Sequence, residues 1–383
     1  YIAGKPTSNG SLLMQDYVPD HTSFIVQRLL DAGAIVHART TTPEFSIAGV
    51  TWSKLWGVTR NPWNLDCTCG GSSGGSGASL AAGTTTLANG SDIGGSIRIP
   101  SSLCGVVGFK APYGRNPEEP PFNLEYYNHP GPMARSVADC ILMQNVISGP
   151  HPLDIATLKP KLTIPDTLGA IEGWHIAYSI DLGYKTIDPQ VRDNTMAALE
   201  VFRGLGATVE EVQMDWTERV SKAALDHLAY CVMGYFILEY YETAKDQLTS
   251  YARDFAEQAL QVTSKDAYEA EMVAAEMYAS LSAIFESADL FICPTIASDF
   301  VAADFDPADK GTLGGIDWFM TYPFNMLSRC PVLNVPSGRA ANNVPTGLQI
   351  VGPTYEDISV FQAAAAYEAA RGAFYDQGLF PEL

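Results

Sequence analysis

A run of glycine and serine embedded between apolar residues is the feature that most constrains this chain. Residues 70–100 read GGSSGGSGASLAAGTTTLANGSDIGGSIRIP, and Ser72 and Ser96 each lie beside a pair of glycines. Glycine lets the backbone adopt positive φ values and brings main-chain N–H groups close to a ligand. A hydroxyl set among such donors is what acyl transfer requires, because it offers a nucleophile and a place for an oxyanion.

Other interpretations of this run agree less well with the residues. Gly/Ser runs are commonly flexible linkers, but apolar residues continue this segment as a hydrophobic core requires. A phosphate-binding loop would need a lysine where Ser76 follows Gly74 and Gly75. A nucleophile elbow would need glycine two positions on either side of the serine, and Arg98 occupies the second of those positions after Ser96.

The histidines and cysteines do not form a recognisable catalytic or metal-binding set. The six histidines lie singly along the chain, at His21, His37, His129, His151, His175 and His227. A base other than histidine is therefore expected. Cys67-Thr68-Cys69 has no second Cys or His pair nearby, and seven cysteines do not read as a disulfide framework. We predict neither a metal nor a cofactor.

The glycine- and serine-rich run resembles the core signature of the amidase signature family of serine hydrolases. The resemblance extends over residues 70–115 and is repeated in four shorter stretches: GPMARSVADC at 131–140, ADLFICPT at 288–295, PVLNVPSG at 331–338 and PTGLQIVGP at 345–353. It covers nearly the whole chain and is weakest between residues 216 and 286. Length and specificity of these motifs identify the chain as a member of that family.

The resemblance implies a Ser–cisSer–Lys triad. Ser96 would be the nucleophile, and Ser72 would be the bridging serine that follows a cis peptide bond. The resemblance also implies that the oxyanion hole is formed by the N–H groups of Ile93, Gly94, Gly95 and Ser96. A serine hydroxyl needs a base during attack, and a lysine can be that base only when burial or nearby positive charge keeps it neutral.

The lysine of the implied triad has no match within the printed sequence. In the family it precedes a segment similar to Tyr1–Ser11, so we expect it about four positions upstream of Tyr1. Lys5 matches a loop residue of the family and is a poor candidate. Lys110 matches a lysine that the family also carries, and a structural ion pair is the better interpretation for it.

The implied activity is hydrolysis of the C–N bond of a linear amide by an amidase, with an aryl-amidase as one form of it. A carbamate or urethane hydrolase with the same triad, and an amidotransferase A-type subunit, are alternatives. Aromatic segments near the motifs predict an apolar pocket for a neutral, bulky or aryl substrate, with Tyr126, Tyr127, Trp318 and Phe319 as lining residues.

Composition limits the partners of the chain. With a net charge of −20 at pH 7, the protein is repelled by nucleic acid and by anionic membrane surfaces, so we predict neither as a partner. No apolar run reaches the length of about 18–20 residues that crosses a membrane. We expect a cytoplasmic protein that acts on a small-molecule amide or carbamate. The sequence is compatible with a homodimer.

Helix and strand patterns alternate along the chain. They predict an α/β fold with a single large mixed, mostly parallel sheet flanked by helices on both faces. We expect one domain over 1–383, with a core of 1–215 and 287–383 and a mainly helical insertion at about 216–286 on the substrate side. Helices are predicted at 22–31, 78–83, 136–148, 189–205 and 358–370. Strands are predicted at 34–38, 85–87, 175–180, 208–212, 290–293, 332–335 and 348–351.

Overall fold

The side chains of the central strands alternate between two apolar cores, one on each face of the sheet. The computed structural model describes residues 1–230, 232–310, 315–375 and 380–382. In the strand Leu290–Pro294, Leu290 and Ile292 belong to one hydrophobic cluster, whereas Phe291 and Cys293 belong to another. Because successive side chains of a strand point to opposite faces, this strand needs an apolar cover on both sides.

Eight of the described strands form one sheet, in the order β5-β7-β6-β11-β12-β10-β8-β9. The remaining four form two small antiparallel pairs, β1 with β2 and β3 with β4. The bounds are β1 Trp52–Ser53, β2 Gly57–Val58, β3 Arg60–Asn61, β4 Asn64–Thr68, β5 Leu87–Asp92, β6 Val107–Lys110, β7 His129–Ala134, β8 His175–Tyr178, β9 Thr208–Glu211, β10 Leu290–Pro294, β11 Val332–Arg339 and β12 Pro345–Val351.

The large sheet is mixed, as predicted, but most of its pairings are antiparallel. Among the described strands, β8 alone pairs in parallel, with β9 on one side and β10 on the other. The other neighbouring pairs, from β5–β7 to β12–β10, are antiparallel. The expectation of a mostly parallel sheet is therefore wrong. Strands β6 and β7, and strands β11 and β12, follow each other without a helical crossover, and such connections reverse the strand direction.

Helices cover both faces of the sheet, as predicted. Helices α4, α5 and α11 belong to the hydrophobic cluster of one face, and α3 and α6–α10 to that of the other. The bounds are α1 Phe24–Asp31, α2 Gly74–Ala81, α3 Arg98–Cys104, α4 Val137–Ile147, α5 Pro189–Gly204, α6 Arg219–Tyr230, α7 Val232–Ala244, α8 Ser250–Ala259, α9 Ser264–Phe285, α10 Pro323–Met326 and α11 Asp357–Arg371. Among the described helices, none has the length and apolar character needed to cross a membrane.

Four consecutive helices, α6–α9, fill the region for which a helical insertion is predicted. The side chain of Thr249 accepts a hydrogen bond from the N–H of Ala252 and so caps α8. Thr263 and Asp266 form a capping box at the start of α9, each accepting from the backbone of the other. These caps satisfy N–H groups that a helix leaves unpaired at its first turn, and they fix where α8 and α9 begin.

Most predicted elements lie within a few residues of the observed ones, and one predicted strand is wrong. Residues 34–38 form no strand, and the side chains of Ile35 and Val36 are 87% and 44% exposed. An apolar run becomes a strand only where a neighbouring strand accepts its hydrogen bonds, and the described residues offer none here. Strands β6 and β7 are absent from the prediction. Two prolines and one glycine interrupt the pattern of β7.

The side chain of Lys110 places an amine inside the core of the protein. Lys110 ends β6, is fully buried, and donates a hydrogen bond from Nζ to the carbonyl oxygen of Cys330 at 2.9 Å. Burial, with a smaller contribution from the positive charge of Arg98, lowers the pKa of Lys110 to about 7. The amine therefore loses its proton in the folded protein at a lower pH than in the unfolded chain.

We predict that Lys110→Met weakens the rise of stability with pH above about pH 7. Between the folded pKa of about 7 and the unfolded value near 10.5, the unfolded chain binds more protons, so the free energy of unfolding increases by up to about 1.4 kcal/mol per pH unit. Below pH 7 both states are protonated and this contribution is constant. Urea unfolding at pH 6, 7, 8 and 9 measures the slope. Lys265→Met, which removes an exposed amine, should keep it, and an unchanged slope in Lys110→Met would contradict the prediction.

Candidate active site

The turn that carries Ser96 joins the end of β5 to the beginning of α3. Asp92 closes β5, and its Oδ2 accepts hydrogen bonds from the N–H groups of Ile97 at 3.2 Å and Arg98 at 3.3 Å. Gly95 has a φ of +128°, and a Cβ there would lie 2.0 Å from Oγ1 of Thr321. Glycine is therefore required at this position, both by its conformation and by the close approach of Thr321.

Arg98 and Asp92 form a buried ion pair that holds both ends of this turn. Nε of Arg98 donates to Oδ2 of Asp92 at 2.9 Å, and Nη2 donates to Oδ1 at 2.8 Å. Both side chains are 0% exposed. Burial alone would raise the pKa of Asp92, but the charge and hydrogen bonds of Arg98, with a hydrogen bond from Asn325, lower it below its usual range. The carboxylate therefore stays charged inside the protein.

The remaining donors of the Arg98 guanidinium are also satisfied. Nη1 donates to the carbonyl oxygen of Thr321 at 2.9 Å and to Oε1 of Gln349 at 2.6 Å, and Nη2 donates to Oδ1 of Asn325 at 2.7 Å. Asn325 in turn donates to both the carbonyl and the side chain of Asp92. This network connects the turn to α10 and β12, and hydrogen bonds from several directions therefore hold the turn rigid.

Four consecutive N–H groups in the turn are left for a ligand. Within the part of the chain that the structure describes, the N–H groups of Ile93, Gly94, Gly95 and Ser96 donate no hydrogen bond to the protein, whereas the next two donate to Asp92. Such an arrangement can bind an oxyanion, since backbone donors held in place stabilise negative charge that develops on a carbonyl oxygen.

The structure brings the turn that carries Ser72 against the Ser96 turn. The N–H of Ser73 donates to the carbonyl oxygen of Ser96 at 3.1 Å, and Oγ1 of Thr51 donates to the carbonyl oxygen of Gly70 at 2.8 Å. Ser72 and Ser96 are both buried. The Gly71–Ser72 peptide bond is cis, as the resemblance predicts.

Ser96 lies in the wall of a largely apolar cavity of about 790 Å³, including the part open to solvent. The cavity is formed between the Ser96 turn, the segment 46–49, helices α6 and α8, and the segment that precedes α10. Its lining residues are Ser46, Ile47, Ala48, Gly49, Ile93, Gly94, Ser96, Ile99, Ala224, Leu225, Leu228, Met233, Tyr251, Asp254, Phe255, Pro307, Gly315, Ile316, Phe319 and Tyr322.

Of the four predicted pocket residues, Phe319 lines this cavity and the other three do not. The ring of Phe319 packs against Gly49, where a Cβ would lie 2.0 Å from Cζ of the phenylalanine. Trp318 is buried in the hydrophobic core. Tyr127 stacks on His227 of α6 with ring centroids 3.8 Å apart, and the hydroxyl of Tyr126 donates to Glu271 of α9.

The prediction for these aromatic side chains rests only on their position near the motifs in sequence. Position along the chain does not fix the direction in which a side chain points. Tyr126 and Tyr127 attach the core to the helical segment, and Trp318 packs edge-to-face on Phe319 with centroids 4.4 Å apart. Tyr126, Tyr127 and Trp318 are thus not among the described residues that line this cavity, and in this structure they pack against other side chains.

The sequence predicts a helical segment on the substrate side but not which of its side chains line the cavity, and a buried carboxylate holds this wall in place. Oε1 of Glu44 accepts from the hydroxyl of Ser11 at 2.6 Å, and Oε2 accepts from the N–H and the hydroxyl of Thr249 at 2.7 and 2.8 Å. The N–H of Glu44 donates to the hydroxyl of Tyr251 at 2.7 Å. The start of α8 is thus attached to the segment that precedes residues 46–49. The amphipathic pattern of α8 could have shown a buried face, but not what that face covers.

Among the described residues, neither lysine discussed from the sequence forms an ion pair at the site. Lys5 is exposed, and Lys110 donates to a carbonyl oxygen of Cys330, so the predicted structural ion pair is replaced by a hydrogen bond. Among the described residues there is no cluster of His, Cys, Asp and Glu able to hold a metal ion. The described cysteines are free thiols in the core.

Comparison with known proteins identifies the family of this chain. The amidase family profile matches residues 1–361. An acylamidase of Rhodococcus erythropolis is 34% identical over 379 residues, which cover 97% of this chain and 79% of that protein. The chain belongs to the amidase signature family. The A-type subunit of a glutamyl-tRNA(Gln) amidotransferase of Cyanothece sp. is 33% identical over 400 residues, which cover 96% of this chain and 81% of that protein.

The fold agrees with solved structures of the amidase signature family. A bacterial aryl acylamidase of the family superposes with a TM-score of 0.88 at 26% identity, over 96% of this chain and 80% of that one. The large mixed sheet with helices on both faces is therefore the amidase signature fold. The chain is a hydrolase of carboxylic amide C–N bonds, as its family membership establishes.

We predict that Asp92→Asn destabilises this amidase by about 3–5 kcal/mol, because the substitution leaves the guanidinium of Arg98 buried without its counter-ion. The variant should unfold at a clearly lower denaturant concentration with an unchanged slope. Glu200→Gln, which breaks an exposed pair with Arg203, serves as the control and should change stability by no more than about 1 kcal/mol. Equal losses in the two variants would show that the buried pair does not hold the turn.

Proposed function

We propose that this amidase cleaves its substrate through an acyl-enzyme on Ser96. The observation that carries the proposal is the position of Ser96 in the cavity wall, beside four N–H groups that donate to nothing else among the described residues. Oγ of Ser96 attacks the carbonyl carbon and forms a C–O bond, while the N–H groups of residues 93–96 stabilise the oxyanion. The C–N bond then breaks, and the leaving amine takes up the proton lost by Ser96. Water cleaves the resulting ester.

Proton transfer in this proposal runs through Ser72 and a lysine. The contact between the Ser72 and Ser96 turns, with Ser73 donating to the carbonyl of Ser96, supports a relay through the Ser72 hydroxyl. The third member of the proposed relay is a lysine, as in the triad that the resemblance implies. A neutral lysine accepts the serine proton through Ser72 and returns it to the amine, so one group serves as base and then as acid.

Ser96→Ala should abolish hydrolysis of an anilide, and Ser72→Ala should lower the acylation rate by at least about 10²–10⁴-fold, the value of a general acid–base step. Both variants should keep the wild-type unfolding midpoint, since a hydroxyl is replaced by hydrogen at little cost in packing. Mass spectrometry of protein treated with a fluorophosphonate should locate the adduct on Ser96.

Ser102→Ala is the matched control for these two variants. Its buried hydroxyl lies on α3 and has no hydrogen-bond partner among the described atoms, so activity should remain near that of the wild type. Labelling of another serine while Ser96 is unmodified, or a Ser72→Ala variant as active as Ser102→Ala, would overturn the respective assignment.

For the substrate we propose a neutral amide with a bulky or aryl group. The cavity is mostly apolar, and among its described lining residues there is no Lys, Arg or His to bind a carboxylate. The names of two similar proteins, an acylamidase and an aryl acylamidase, support the same class. Residues of α6 and α8 line the cavity, which supports the interpretation of the helical segment as the substrate-side part of the domain.

Two alternatives use the same machinery on other carbonyl compounds. A carbamate has a carbonyl of similar shape, and its hydrolysis by Ser96 would follow the same steps. An amidotransferase A-type subunit is favoured by the identity with the glutamyl-tRNA(Gln) amidotransferase protein of Cyanothece sp.. The net charge of −20 disfavours direct contact of this chain with RNA, so the first alternative is the stronger one.

We predict that kcat/KM for an acyl anilide exceeds that for acetamide, malonamate and glutamine, because only the anilide buries an apolar group in the cavity. An aryl carbamate in the same panel separates amide from carbamate preference. Initial rates over a range of substrate concentrations give each kcat/KM. Preference for acetamide or malonamate would indicate a compact polar site, and preference for glutamine would favour the amidotransferase function.

A further inference from the structure

The N–H groups of the Ser96 turn can stabilise an oxyanion only while the peptide planes that carry them keep their direction. In a trans peptide bond, the C=O and the N–H of one plane point to opposite sides. The peptide bonds of this turn are trans. The hydrogen bonds that its carbonyl groups accept therefore set the directions of its N–H groups.

Two of these planes are held by groups that also build the surrounding fold. The carbonyl oxygen of Asp92 accepts from Nδ2 of Asn325 at 2.9 Å, and Asn325 belongs to the buried network of the ion pair. The carbonyl oxygen of Gly95 accepts from the N–H of Ile99 at 2.7 Å, at the beginning of α3. These two contacts cannot be removed without altering the ion-pair network or the helix.

Among the described residues, one side chain holds the plane between Gly94 and Gly95. Oγ1 of Thr321 donates to the carbonyl oxygen of Gly94 at 2.6 Å. Thr321 is 0% exposed and is not among the described residues that line the cavity, whereas Gly94 and Ser96 are. The carbonyl of Gly94 therefore points into the protein, and the N–H of Gly95 points away from Thr321.

The backbone of Thr321 is anchored independently of its hydroxyl. Its carbonyl oxygen accepts from Nη1 of Arg98 at 2.9 Å, so the buried guanidinium fixes the chain at this residue. A Cβ at Gly95 would lie 2.0 Å from Oγ1 of Thr321, which shows how closely this side chain approaches the turn. The hydroxyl can thus be removed by substitution while the hydrogen bonds of the ion pair stay in place.

We propose that the hydroxyl of Thr321 is a positioning group for amide hydrolysis: its hydrogen bond directs the N–H of Gly95 towards the oxyanion that forms on attack by Ser96. This inference rests on the proposed function, because it assumes that the N–H groups of the turn bind that oxyanion. Thr321 touches no substrate atom and takes no part in bond making. It keeps a donor aligned with charge that develops only in the transition state, so its removal should change kcat more than KM.

Kinetics of three variants at position 321 test the inference on the substrate of the panel above that has the highest kcat/KM. Thr321→Val should lower kcat by about 10- to 100-fold with KM unchanged, because loss of a whole oxyanion donor costs about 10²–10³-fold and a misaligned donor should cost less. Thr321→Ser keeps the hydroxyl and should restore most of kcat. Thr321→Ala removes the same hydroxyl with a smaller side chain, should show the same loss as Thr321→Val, and replaces it in the comparison if the valine variant does not fold.

Inhibition by phenylboronic acid separates the alignment of the donor from a general loss of structure. Its adduct with Oγ of Ser96 is tetrahedral and carries an oxygen at the position of the oxyanion, so its inhibition constant should rise in Thr321→Val by the factor by which kcat falls. Thr195→Val is the matched control, since this buried threonine on α5 also donates to a carbonyl oxygen, that of Val191, at 2.8 Å. Its kcat and inhibition constant should remain those of the wild type.

Three results would overturn the inference alone. They are a Thr321→Val protein as active as Thr195→Val, a fall in kcat without weaker inhibition by the boronate, and a Thr321→Ser protein as slow as Thr321→Val. An active Ser96→Ala protein, or a wild-type protein that the boronate does not inhibit, would instead contradict the proposed function itself.

Discussion

The buried ion pair between Asp92 and Arg98 is the interaction on which the site depends. It joins the last residue of β5 to the first residue of α3, and the turn that carries Ser96 lies between them. All five N–H donors of the Arg98 guanidinium form hydrogen bonds. The buried positive charge is therefore stabilised by these hydrogen bonds as well as by the carboxylate of Asp92. A pair removed from water is tolerated only when such hydrogen bonds offset the loss of solvation.

Because of this arrangement, several backbone N–H groups of the turn have no hydrogen-bond acceptor among the described residues. The carboxylate of Asp92 accepts hydrogen bonds from the N–H groups of Ile97 and Arg98, where α3 begins. The N–H groups of the four preceding residues are held in the turn without an acceptor among the described residues. Gly95 lets the chain approach Thr321 closely enough to close the turn. The site therefore gains its donors from the way in which the ion pair folds the chain around it.

A second buried carboxylate, that of Glu44, holds the wall of the cavity in place, as Asp92 holds the turn that carries Ser96. It binds Ser11 and Thr249, residues far apart in sequence, and so connects the N-terminal part of the chain to α8. The opposite walls of the cavity come from segments that are far apart in sequence. Their distance is set by hydrogen bonds to one fully buried side chain, which gives the wall that carries Asp254 a fixed position.

The layered architecture and the serine-bearing turns could be predicted because each depends on a residue pattern that is visible locally in the sequence. A short continuous apolar run identifies β10, helical patterns identify α4, α5 and α11, and the glycines around Ser72 and Ser96 identify the turns. No such local pattern indicates the direction of a strand within the sheet. The sheet is mostly antiparallel because β6–β7 and β11–β12 reverse the chain, and residues 34–38 form no strand because no described neighbour pairs with them.

The sequence by itself determined that this chain carries the two serine turns of an amidase, since a glycine-bracketed hydroxyl requires only neighbouring residues. Only the tertiary structure decided which side chains surround the substrate. Tyr127 and Trp318 pack into the core, whereas Phe319 and Asp254 line the cavity, and nothing in their local sequence distinguishes these outcomes. The direction of a side chain is set by the packing of α8, α10 and the segment 46–49 around it, and that packing depends on contacts between residues far apart in the chain.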